Sequence, residues 1–445
     1  MRCVLIVSFL LSLAAGVVGG SLENVTYDWH KVVRIKTGRQ LATIQAKLST
    51  LTFEKWNHDI DRHMDIVLPP DQLSAFEGLG LDFHTMHHDL GRSIRTESTS
   101  GSPWKRQLDS SWFESYHPYT DHLMYLADLQ KSFPRNSEII NSGKSWEGRD
   151  IKGIHVWGDG GQGKPAVLYH ATVHAREWIA APVVEYIATE LISGYKRGDE
   201  LLKGFLDKYD FYIIPVANPD GFIYSQKVDR MWRKNRQPGP NNSTCYGRDL
   251  NRNWAFGWNW NPKGASKDPC EETYRGEAPS DTPENQGLDA LVHKLRDGAG
   301  IKLYVDWHSY GQLIASPYGY NETLYAPELG IWTKAASTMS AAIYDASPDR
   351  TTFTFGPSGA TLYAQTGTSP DHVYAVGKAA FSYCIELRDT GDFGFILPPS
   401  QILNSAKEQW EGQKALITIL DDVFFDGVGP AILGESELTR VPGAQ

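Results

Sequence analysis

Short, mostly apolar runs, several of them continuous, alternate with segments of helical spacing in most of the chain. The short runs predict strands at residues 151–157, 166–171, 209–216, 301–307 and 381–386. The segments of helical spacing fall between them, at residues 182–193, 283–297, 326–345 and 401–422. Strands without a polar face are typical of sheets that are covered on both sides. The pattern therefore predicts an α/β domain whose central mixed sheet is sandwiched by helices.

A smaller pattern precedes this domain, from residue 21 to about residue 95. Residues 30–35 alternate like a strand, and residues 64–68 predict a second strand. Residues 38–51 have helical spacing, and another helix is expected to start at Asp71 as its N-cap. We therefore predict a small α/β module with an antiparallel sheet and two helices.

The segment between the two patterns has the composition of a cleavable connector. Residues 96–103 are polar, and Lys105-Arg106 is a dibasic pair that a protease could recognise. An uncut linker between two permanent domains is the alternative interpretation. The predicted boundaries are residues 1–20, 21–106 and 107–445.

The first 20 residues have the features of a secretory signal peptide. Arg2 provides the positive end, residues 4–18 are almost wholly apolar, and Gly19-Gly20-Ser21 offers small residues for cleavage. The apolar run is short for a membrane span, although an anchor or a buried strand is an alternative. No second run of about 18 apolar residues follows, so we expect a soluble, secreted, extracellular protein.

Composition excludes some classes of function. Hydrophobic residues make up 41% of the 445 residues and charged residues 22%, which is typical of a globular protein rather than a disordered one. The formal net charge of −10 argues against a nucleic-acid partner, because binding to phosphates requires a basic surface. Nothing in the sequence indicates an obligate oligomer, so we expect a monomer.

Four cysteines suit an oxidising compartment. Cys3 would leave with the signal peptide, and Cys245 and Cys270 flank a turn-rich loop and form the natural pair. Cys384 lies in an apolar run, where a buried small side chain is a better interpretation than a reactive thiol. Glycosylation sequons, which matter only if the chain is secreted, begin at Asn24, Asn241, Asn242 and Asn321.

Reactive side chains follow the ends of three predicted strands. His174 and Glu177 follow the strand at 166–171, His308 directly ends the strand at 301–307, and Glu386 ends the last strand. Ligands of open α/β sheets bind at the carboxyl ends of the strands. Two imidazoles and a carboxylate leave zinc an open position for water, which is a catalytic arrangement. An exposed His and Glu near a helix start is the structural alternative for H-x-x-E alone.

Basic and amide side chains add a second chemical feature. Arg233, Asn251 and Arg252 lie in turn-rich segments after the strand at 209–216. Arg guanidinium groups are preferred bidentate partners of carboxylates. A zinc site with a free carboxylate base and carboxylate-binding arginines suits a peptide substrate with a free C terminus.

Several motifs together make the chain resemble the secreted zinc metallocarboxypeptidases of the carboxypeptidase A/B type (M14 family). The motifs are His174-Ala-Arg-Glu-Trp178, Asn218-Pro-Asp-Gly-Phe222, Arg230-Met-Trp-Arg-Lys234, Asn251-Arg-Asn-Trp254, His308-Ser-Tyr310 and Glu386-Leu-Arg-Asp-Thr-Gly391. The resemblance covers residues from about 27 to 425. It implies an eight-stranded mixed sheet, one Zn²⁺ per chain, an A-like enzyme acting on peptide and protein C termini, and an N-terminal activation segment. That propeptide is expected to cover the cleft as an inhibitor until an activating protease removes it.

The resemblance also implies roles for individual residues. His174, Glu177 and His308 match zinc ligands, Glu386 matches the catalytic carboxylate, and Arg233 matches the group that polarises the scissile carbonyl. The substrate-binding positions that it implies are Asn251, Arg252 and Tyr363 for the terminal carboxylate, with Arg176, Ser309, Tyr310 and Phe395 in the next subsite outward. Asp249 matches the carboxylate that orients His174, and Cys245 and Cys270 match a disulfide of the family.

The side-chain preference depends on the residue at the base of the terminal pocket. Alignment with basic-specific relatives, which have an Asp there, places Pro370 at the base and Asp371 one position further on. The other matching positions carry no charge, and they are Ala315, Gly319, Ser358, Gln365, Thr368 and Cys384. An uncharged pocket cannot offset the desolvation of a Lys or Arg head group, so we predict release of apolar and aromatic residues. The alternatives are a B-like preference for Lys and Arg, if Asp371 lies at the base, and a catalytically inactive peptide-binding relative.

Overall fold

The computed structural model describes residues 24–99 and 108–421, which form two sheets flanked by helices. The predicted signal peptide and the Lys105-Arg106 pair lie outside the described residues. Within the described ranges, every helix is too short or too polar to cross a membrane.

The N-terminal unit is built on a four-stranded antiparallel sheet with the strand order β2-β3-β1-β4. Its strands are β1 (Lys31–Lys36), β2 (Glu54–Lys55), β3 (His63–Leu68) and β4 (Phe83–His87). Its helices are α1 (Leu41–Leu48), α2 (Leu73–Gly78) and α3 (Leu90–Thr99), and single 3₁₀ turns at Gly38–Gln40 and Pro70–Gln72 precede α1 and α2. Val33, Ile35, Leu48 and Phe76 form the centre of the core between sheet and helices.

Two expectations for this unit were wrong. Asp71 does not cap a helix, because it lies inside the 3₁₀ turn that Pro70 begins, and Gln72 occupies the cap position of α2 without a side-chain hydrogen bond. The polar segment expected to begin a connector at residue 96 is still helical through Thr99. It is ordered because Glu97 is buried against the second unit, a contact that local composition does not reveal.

The second unit contains an eight-stranded mixed sheet with the order β11-β10-β12-β9-β7-β8-β6-β5. Its strands are β5 (Ser137–Lys144), β6 (Asp150–Val156), β7 (Ala166–Ala171), β8 (Asp210–Ile214), β9 (Ile301–Ser309), β10 (Leu313–Ser316), β11 (Thr354–Pro357) and β12 (Phe381–Leu387). The central strands β12, β9, β7 and β8 are parallel to one another. All five predicted strands are present, and the mixed sheet between helices is confirmed.

Helices cover both faces of this sheet. They are α4 (Tyr119–Ser132), α5 (Ala180–Arg197), α6 (Glu200–Lys208), α7 (Pro219–Lys227), α8 (Pro283–Asp297), α9 (Leu329–Ala346), α10 (Ser358–Thr361), α11 (Ser369–Ala375) and α12 (Ile402–Ile419), with 3₁₀ turns at Ser110–Glu114, Leu250–Arg252 and Pro399–Gln401. Val167 and Tyr169 of β7 pack into the core under α5, α9 and α12, whereas Leu168 packs into the core under α8. This alternation explains why β7 has no polar face.

A mixed apolar cluster joins the two units. Tyr27, Trp56 and Met86 of the N-terminal unit pack with Met231 and Phe395 of the second unit. The N-terminal unit therefore rests on the edge of the large sheet where the parallel strands end.

Candidate active site

The carboxyl ends of three parallel strands bring four of the predicted residues together. His174 and Glu177 lie in the turn between β7 and α5, and His308 is the penultimate residue of β9. Glu386 of β12 is the register partner of His308. The structure thus brings these four side chains to one edge of the sheet.

Three ligand atoms converge at the centre of this edge. His174 Nδ1 lies 2.8 Å from Glu177 Oε1, His308 Nδ1 lies 3.0 Å from Glu177 Oε2, and the two imidazole Nδ1 atoms are 3.0 Å apart. All three side chains are almost fully buried. The convergence places two imidazoles and one carboxylate where a single cation could bind them.

The outer nitrogens of both imidazoles face carboxylates, which fixes the tautomers. His174 Nε2 lies 3.0 Å from Asp249 Oδ1, and His308 Nε2 lies 2.9 Å from Asp306 Oδ2. A proton on each Nε2 leaves each Nδ1 with a lone pair directed at the other ligands. Lone pairs of two imidazoles and a carboxylate 3 Å apart repel unless a cation lies between them, so this donor set fits a zinc ion.

Charge around Glu177 favours its ionised form. Burial alone opposes ionisation, but positive charge at this point, from protonated imidazoles of His174 and His308 in the absence of a cation, holds the pKa of Glu177 well below its ordinary value. The carboxylate is therefore ready to act as an anionic ligand at neutral pH.

Glu386 has the opposite environment. Burial raises the pKa of Glu386 to about 8, and the nearby Glu177 carboxylate adds to the shift while His308 and Arg233 oppose it. A cation held by the three ligands would stabilise the ionised form and bring the pKa down towards neutrality. A carboxyl group with such a pKa can both accept and return a proton near pH 7.

Two arginines and an amide line the same cavity, whose volume is about 250 Å³. Arg233 donates to Asp249 Oδ2 from Nε and Nη2, at 3.1 and 2.8 Å. Arg252 donates to the backbone carbonyl of Asn251 at 2.7 Å and to Tyr363 Oη at 2.8 Å. Arg252 Nε is buried and has no hydrogen-bond partner in the described chain, so a donor remains available for a ligand.

Comparisons with known proteins agree with this geometry. A family model described as zinc carboxypeptidase matches residues 122–412. The chain belongs to this family. It is 43% identical over 427 residues to the metallocarboxypeptidase A-like protein of Trichophyton verrucosum, covering 92% of this chain and 98% of that protein. It is 41% identical over 417 residues to metallocarboxypeptidase A of Trichophyton rubrum, covering 92% and 97%. The crystal structure of thrombin activatable fibrinolysis inhibitor superposes with a TM-score of 0.81 at 26% identity, covering 89% of this chain and all of that one.

This chain is accordingly a zinc carboxypeptidase, a hydrolase that acts on C-terminal peptide bonds. The predicted zinc cofactor and the predicted enzyme class are confirmed by the family. The predicted disulfide is also present, because Cys245 and Cys270 are bonded, and Cys384 is free and buried as expected.

Some uncharged side chains line the cavity as well. They are Leu313, Leu362, Gln365 and Cys384, of which Leu313, Leu362 and Cys384 pack together, whereas Asp371 is not among the described residues that line the cavity. Asp371 accepts from the backbone amide of Gly319 at 3.0 and 2.9 Å and is 2% exposed. Burial raises the pKa of Asp371 to about 7, as expected for a carboxyl group without a cationic partner.

The predicted outer-subsite residues lie under the N-terminal unit. Tyr310 Oη donates to Asp65 of β3 at 2.5 Å, and the Arg34 guanidinium binds the same carboxylate at 2.6 and 2.7 Å. Arg176 stacks on the ring of Phe395 at 4.3 Å. Ser309 is buried beside the metal ligands, where its backbone amide donates to Glu177 Oε2 at 3.3 Å.

Sequence reasoning missed two residues of the site. Asp306 orients His308 and is fully buried, and its position two residues earlier on the same strand was an available signal, because such residues share a face. His58 comes from the N-terminal unit, and its ring lies 6.1 Å from that of Tyr363. No local pattern could have placed His58 in the cavity, since it depends on the docking of the two units.

Three of the four sequons lie on the surface. Asn24, Asn241 and Asn242 are exposed, and Asn321 is partly buried while its side chain accepts from the backbone amide of Thr323 at 2.8 Å. Glycosylation of these residues stays a prediction.

Proposed function

We propose that this zinc carboxypeptidase is secreted as a zymogen and, once cut, releases apolar and aromatic residues from peptide C termini. One observation carries the proposal. The three metal-binding side chains, Glu386, Arg233 and Arg252 line a single cavity that residues of the N-terminal unit also line.

Each catalytic side chain has a role that its position supports. Zinc, when bound, supplies Lewis acidity that polarises a carbonyl oxygen and makes water a nucleophile near neutral pH. Glu386 accepts the proton of the attacking water and returns it to the leaving amine. Arg233, fixed by Asp249, donates to the oxyanion that develops on the scissile carbonyl, a contact that can be worth about 3 kcal/mol.

Recognition of the terminal carboxylate is assigned to Arg252, Asn251 and Tyr363. In the described chain the Arg252 side chain donates only to uncharged oxygens, so its charge has no buried carboxylate partner. A peptide with a free C terminus would supply that carboxylate, whereas an internal peptide bond would leave the guanidinium unpaired. This difference favours exopeptidase over endopeptidase action.

The preference for apolar terminal side chains is supported by the uncharged side chains of Leu313, Leu362 and Cys384, which pack together in the cavity lining. Asp371 already receives backbone hydrogen bonds from Gly319 and lies outside the lining, so it does not offer a charge to Lys or Arg. The names of the two fungal relatives, which contain metallocarboxypeptidase A, agree with this assignment.

The proposed zymogen is supported by the position of the N-terminal unit over the cleft. Trp56, Asn57 and His58 of that unit line the active-site cavity beside the proposed catalytic residues. Cleavage in the segment between residues 99 and 108, with Lys105-Arg106 as the expected site, would free the cleft. Treatment of the secreted chain with trypsin should raise its peptidase activity sharply, and an uncut chain that is equally active would refute the zymogen. N-terminal sequencing of protein from the medium tests removal of residues 1–20.

Substitution of Glu386 by Gln tests the catalytic assignment. The E386Q variant should bind one equivalent of zinc and lose turnover, whereas Glu411→Gln, an exchange on the exposed part of α12, should leave both unchanged. Turnover by E386Q equal to wild type would indicate a binding protein rather than the enzyme described here. Rates on peptides that end in Phe, Leu, Lys and Arg test the preference, and faster release of Lys or Arg would establish the B-like alternative.

A further inference from the structure

A buried serine beside the site makes hydrogen bonds to two of its parts. Ser369 is the first residue of α11 and is 1% exposed. Its backbone amide donates to Asn251 Oδ1 at 2.8 Å, and its hydroxyl donates to Asp306 Oδ2. Asn251 is assigned to the terminal carboxylate of the peptide, whereas Asp306 orients the metal ligand His308. Ser369 therefore connects the peptide-binding part of the site with the metal-binding part.

The hydroxyl of Ser369 is one of two groups that hold the Asp306 carboxylate. Asp306 is fully buried on β9, and His308 Nε2 lies 2.9 Å from the same Oδ2 atom. The other carboxylate oxygen, Oδ1, has no hydrogen-bond partner in the described chain. Without the hydroxyl, the carboxylate would keep only its contact with His308 among the described residues. It would then be restrained less, and so would the imidazole that it orients.

The backbone amide of Ser369 fixes the orientation of the Asn251 side chain. A backbone N–H can be accepted only by the oxygen of the side-chain amide, so Nδ2 carries its two donors on the other side. Asn251 Nδ2 lies 3.2 Å from His308 Nε2, but this nitrogen carries the proton that Asp306 accepts. It therefore cannot accept from Asn251 as well. The donors of Nδ2 are thus directed into the cavity lining without an acceptor in the described chain, where a peptide carboxylate could accept them.

The same hydrogen bonds continue to the other imidazole ligand. The backbone amide of Asn251 donates to Asp249 Oδ1 at 2.9 Å, and this oxygen lies 3.0 Å from His174 Nε2. The contacts between the two metal ligands therefore run through Asp249, Asn251, Ser369 and Asp306. Every residue of this chain of contacts is at most 5% exposed. Water competes little for these hydrogen bonds, so each one restrains the next side chain.

We propose that Ser369 is a positioning residue of this enzyme, which holds His308 for zinc through Asp306 and holds Asn251 for the peptide terminus. The role of the hydroxyl concerns zinc binding, whereas the role of the backbone amide rests on the proposed function. Because different atoms of one residue have these two roles, a substitution that removes only the hydroxyl separates them. It weakens the metal site and leaves Asn251 in place.

Substitution of Ser369 by Ala removes the hydroxyl and keeps the backbone amide. The zinc dissociation constant of the full chain is measured without peptide, by dialysis against a chelator of known zinc affinity. Partners of metal ligands contribute about 10- to 100-fold to metal affinity, so we expect Ser369→Ala to bind zinc about tenfold more weakly. Asp306→Asn, which changes the partner of His308 itself, should weaken zinc binding at least as much.

Peptide hydrolysis provides the second measurement. The full chain is activated with trypsin, which is then inhibited, and release of Phe from a peptide is followed at saturating zinc. The KM of Ser369→Ala should stay within about twofold of the wild-type value, because the amide that orients Asn251 is unchanged. A large rise in KM under these conditions would show that the two roles do not belong to separate atoms and would overturn the proposal.

A second buried serine gives a matched control. Ser382 of β12 is fully buried, and its hydroxyl donates at 2.8 Å to the carbonyl of Pro370, the residue after Ser369. Ser382→Ala removes an equally buried hydroxyl that also contacts α11, so it should keep the wild-type zinc affinity. Unchanged zinc affinity in Ser369→Ala, or an equal loss in Ser382→Ala, would overturn the proposal. A wild-type chain that binds zinc but releases no Phe would instead refute the proposed function.

Discussion

The ion pair between Glu97 and Arg230 is the deepest charged contact between the two units, and it yields a quantitative prediction. Arg230 Nε and Nη2 bind the two carboxylate oxygens of Glu97 at 2.7 and 2.8 Å, and both side chains are at most 4% exposed. Arg230 is also held within the catalytic unit, where it donates to the carbonyls of Arg176 and Phe395 and stacks on Trp178. Substitution of Glu97 therefore removes a docking contact without releasing Arg230 from the catalytic unit.

Glu97→Gln should open the uncut chain. Removing one partner of a buried ion pair costs about 3–5 kcal/mol, because the remaining charge stays buried without compensation. Gln retains an acceptor for one of the two hydrogen bonds, so we expect the lower end of this range, or about a 100-fold weaker docking equilibrium. The activity of the uncut variant, relative to the same sample after trypsin, should rise by up to that factor.

The assay requires a control that makes the same chemical change elsewhere. Glu77→Gln breaks an exposed pair with Lys31 inside the N-terminal unit, so its uncut chain should remain as closed as wild type. Hydrolysis of a peptide ending in Phe is measured before and after trypsin for wild type and both variants. If the ratio of activity before trypsin to activity after it is the same for wild type and Glu97→Gln, this ion pair does not hold the N-terminal unit in place. An equal rise of that ratio in Glu77→Gln would refute the reasoning as well.

Three further predictions address the metal, a buried acid and the disulfide. A chelator should abolish activity and added zinc should restore it, whereas His308→Ala should fail to retain zinc in a metal analysis. The pKa of Asp371 in the folded protein is raised from 3.8 to about 7, so the free energy of unfolding should fall as the pH rises from about 4 to about 7, by up to about 4 kcal/mol. Urea unfolding of Asp371→Asn should lack this part of the pH dependence. Replacing Cys245 and Cys270 by Ser should lower the free energy of unfolding in urea by about 3.5 kcal/mol, since the bridge closes a 25-residue loop.

The parts of the fold that the sequence predicted are those with strong local patterns. Strands β7, β9 and β12 are buried on both faces along nearly their whole length, and mostly apolar runs identify them. Strand β5 escaped prediction because it is a polar edge strand with the sequence SEIINSGK, and β10 and β11 because each has only four residues. Helices were recovered with shifted ends, as α5 extends to Arg197 and stops at Gly198, which adopts a φ of 78°.

The same distinction applies to the candidate site, because only residues with a local sequence signal could be placed from the sequence. His174, Glu177 and His308 could be placed together because each follows a strand of one parallel sheet. The contacts of the segment after β12 could not be placed in this way. Arg388 pairs with Glu408 and Asp349, whereas Asp389 accepts backbone amides from residues 391–394, since the bend after β12 turns the two side chains apart.

Contacts between the units could not be predicted at all. Glu97 and Arg230 are 133 positions apart, and Asp65 and Tyr310 are 245 apart. Neither Glu97 nor Asp65 has a local signal, because an acidic residue on a helix or strand is usually solvated. The partner becomes evident only when both units have folded and docked.

The docking contacts share a property that bears on activation. The strong contacts between the units are made by Glu97, Asp65 and Tyr27, and none of them involves a metal ligand or a residue proposed to bind the terminal carboxylate. His58 is the residue of the N-terminal unit beside Tyr363, and burial together with Arg233 and Arg252 lowers its pKa well below the ordinary value, so the ring adds no charge to the cleft. Arg252 keeps its neutral partners, and Arg233 keeps Asp249. The side chains proposed to be catalytic are therefore already arranged beneath the N-terminal unit, and we expect activation to require removal of this unit without rearrangement of the site.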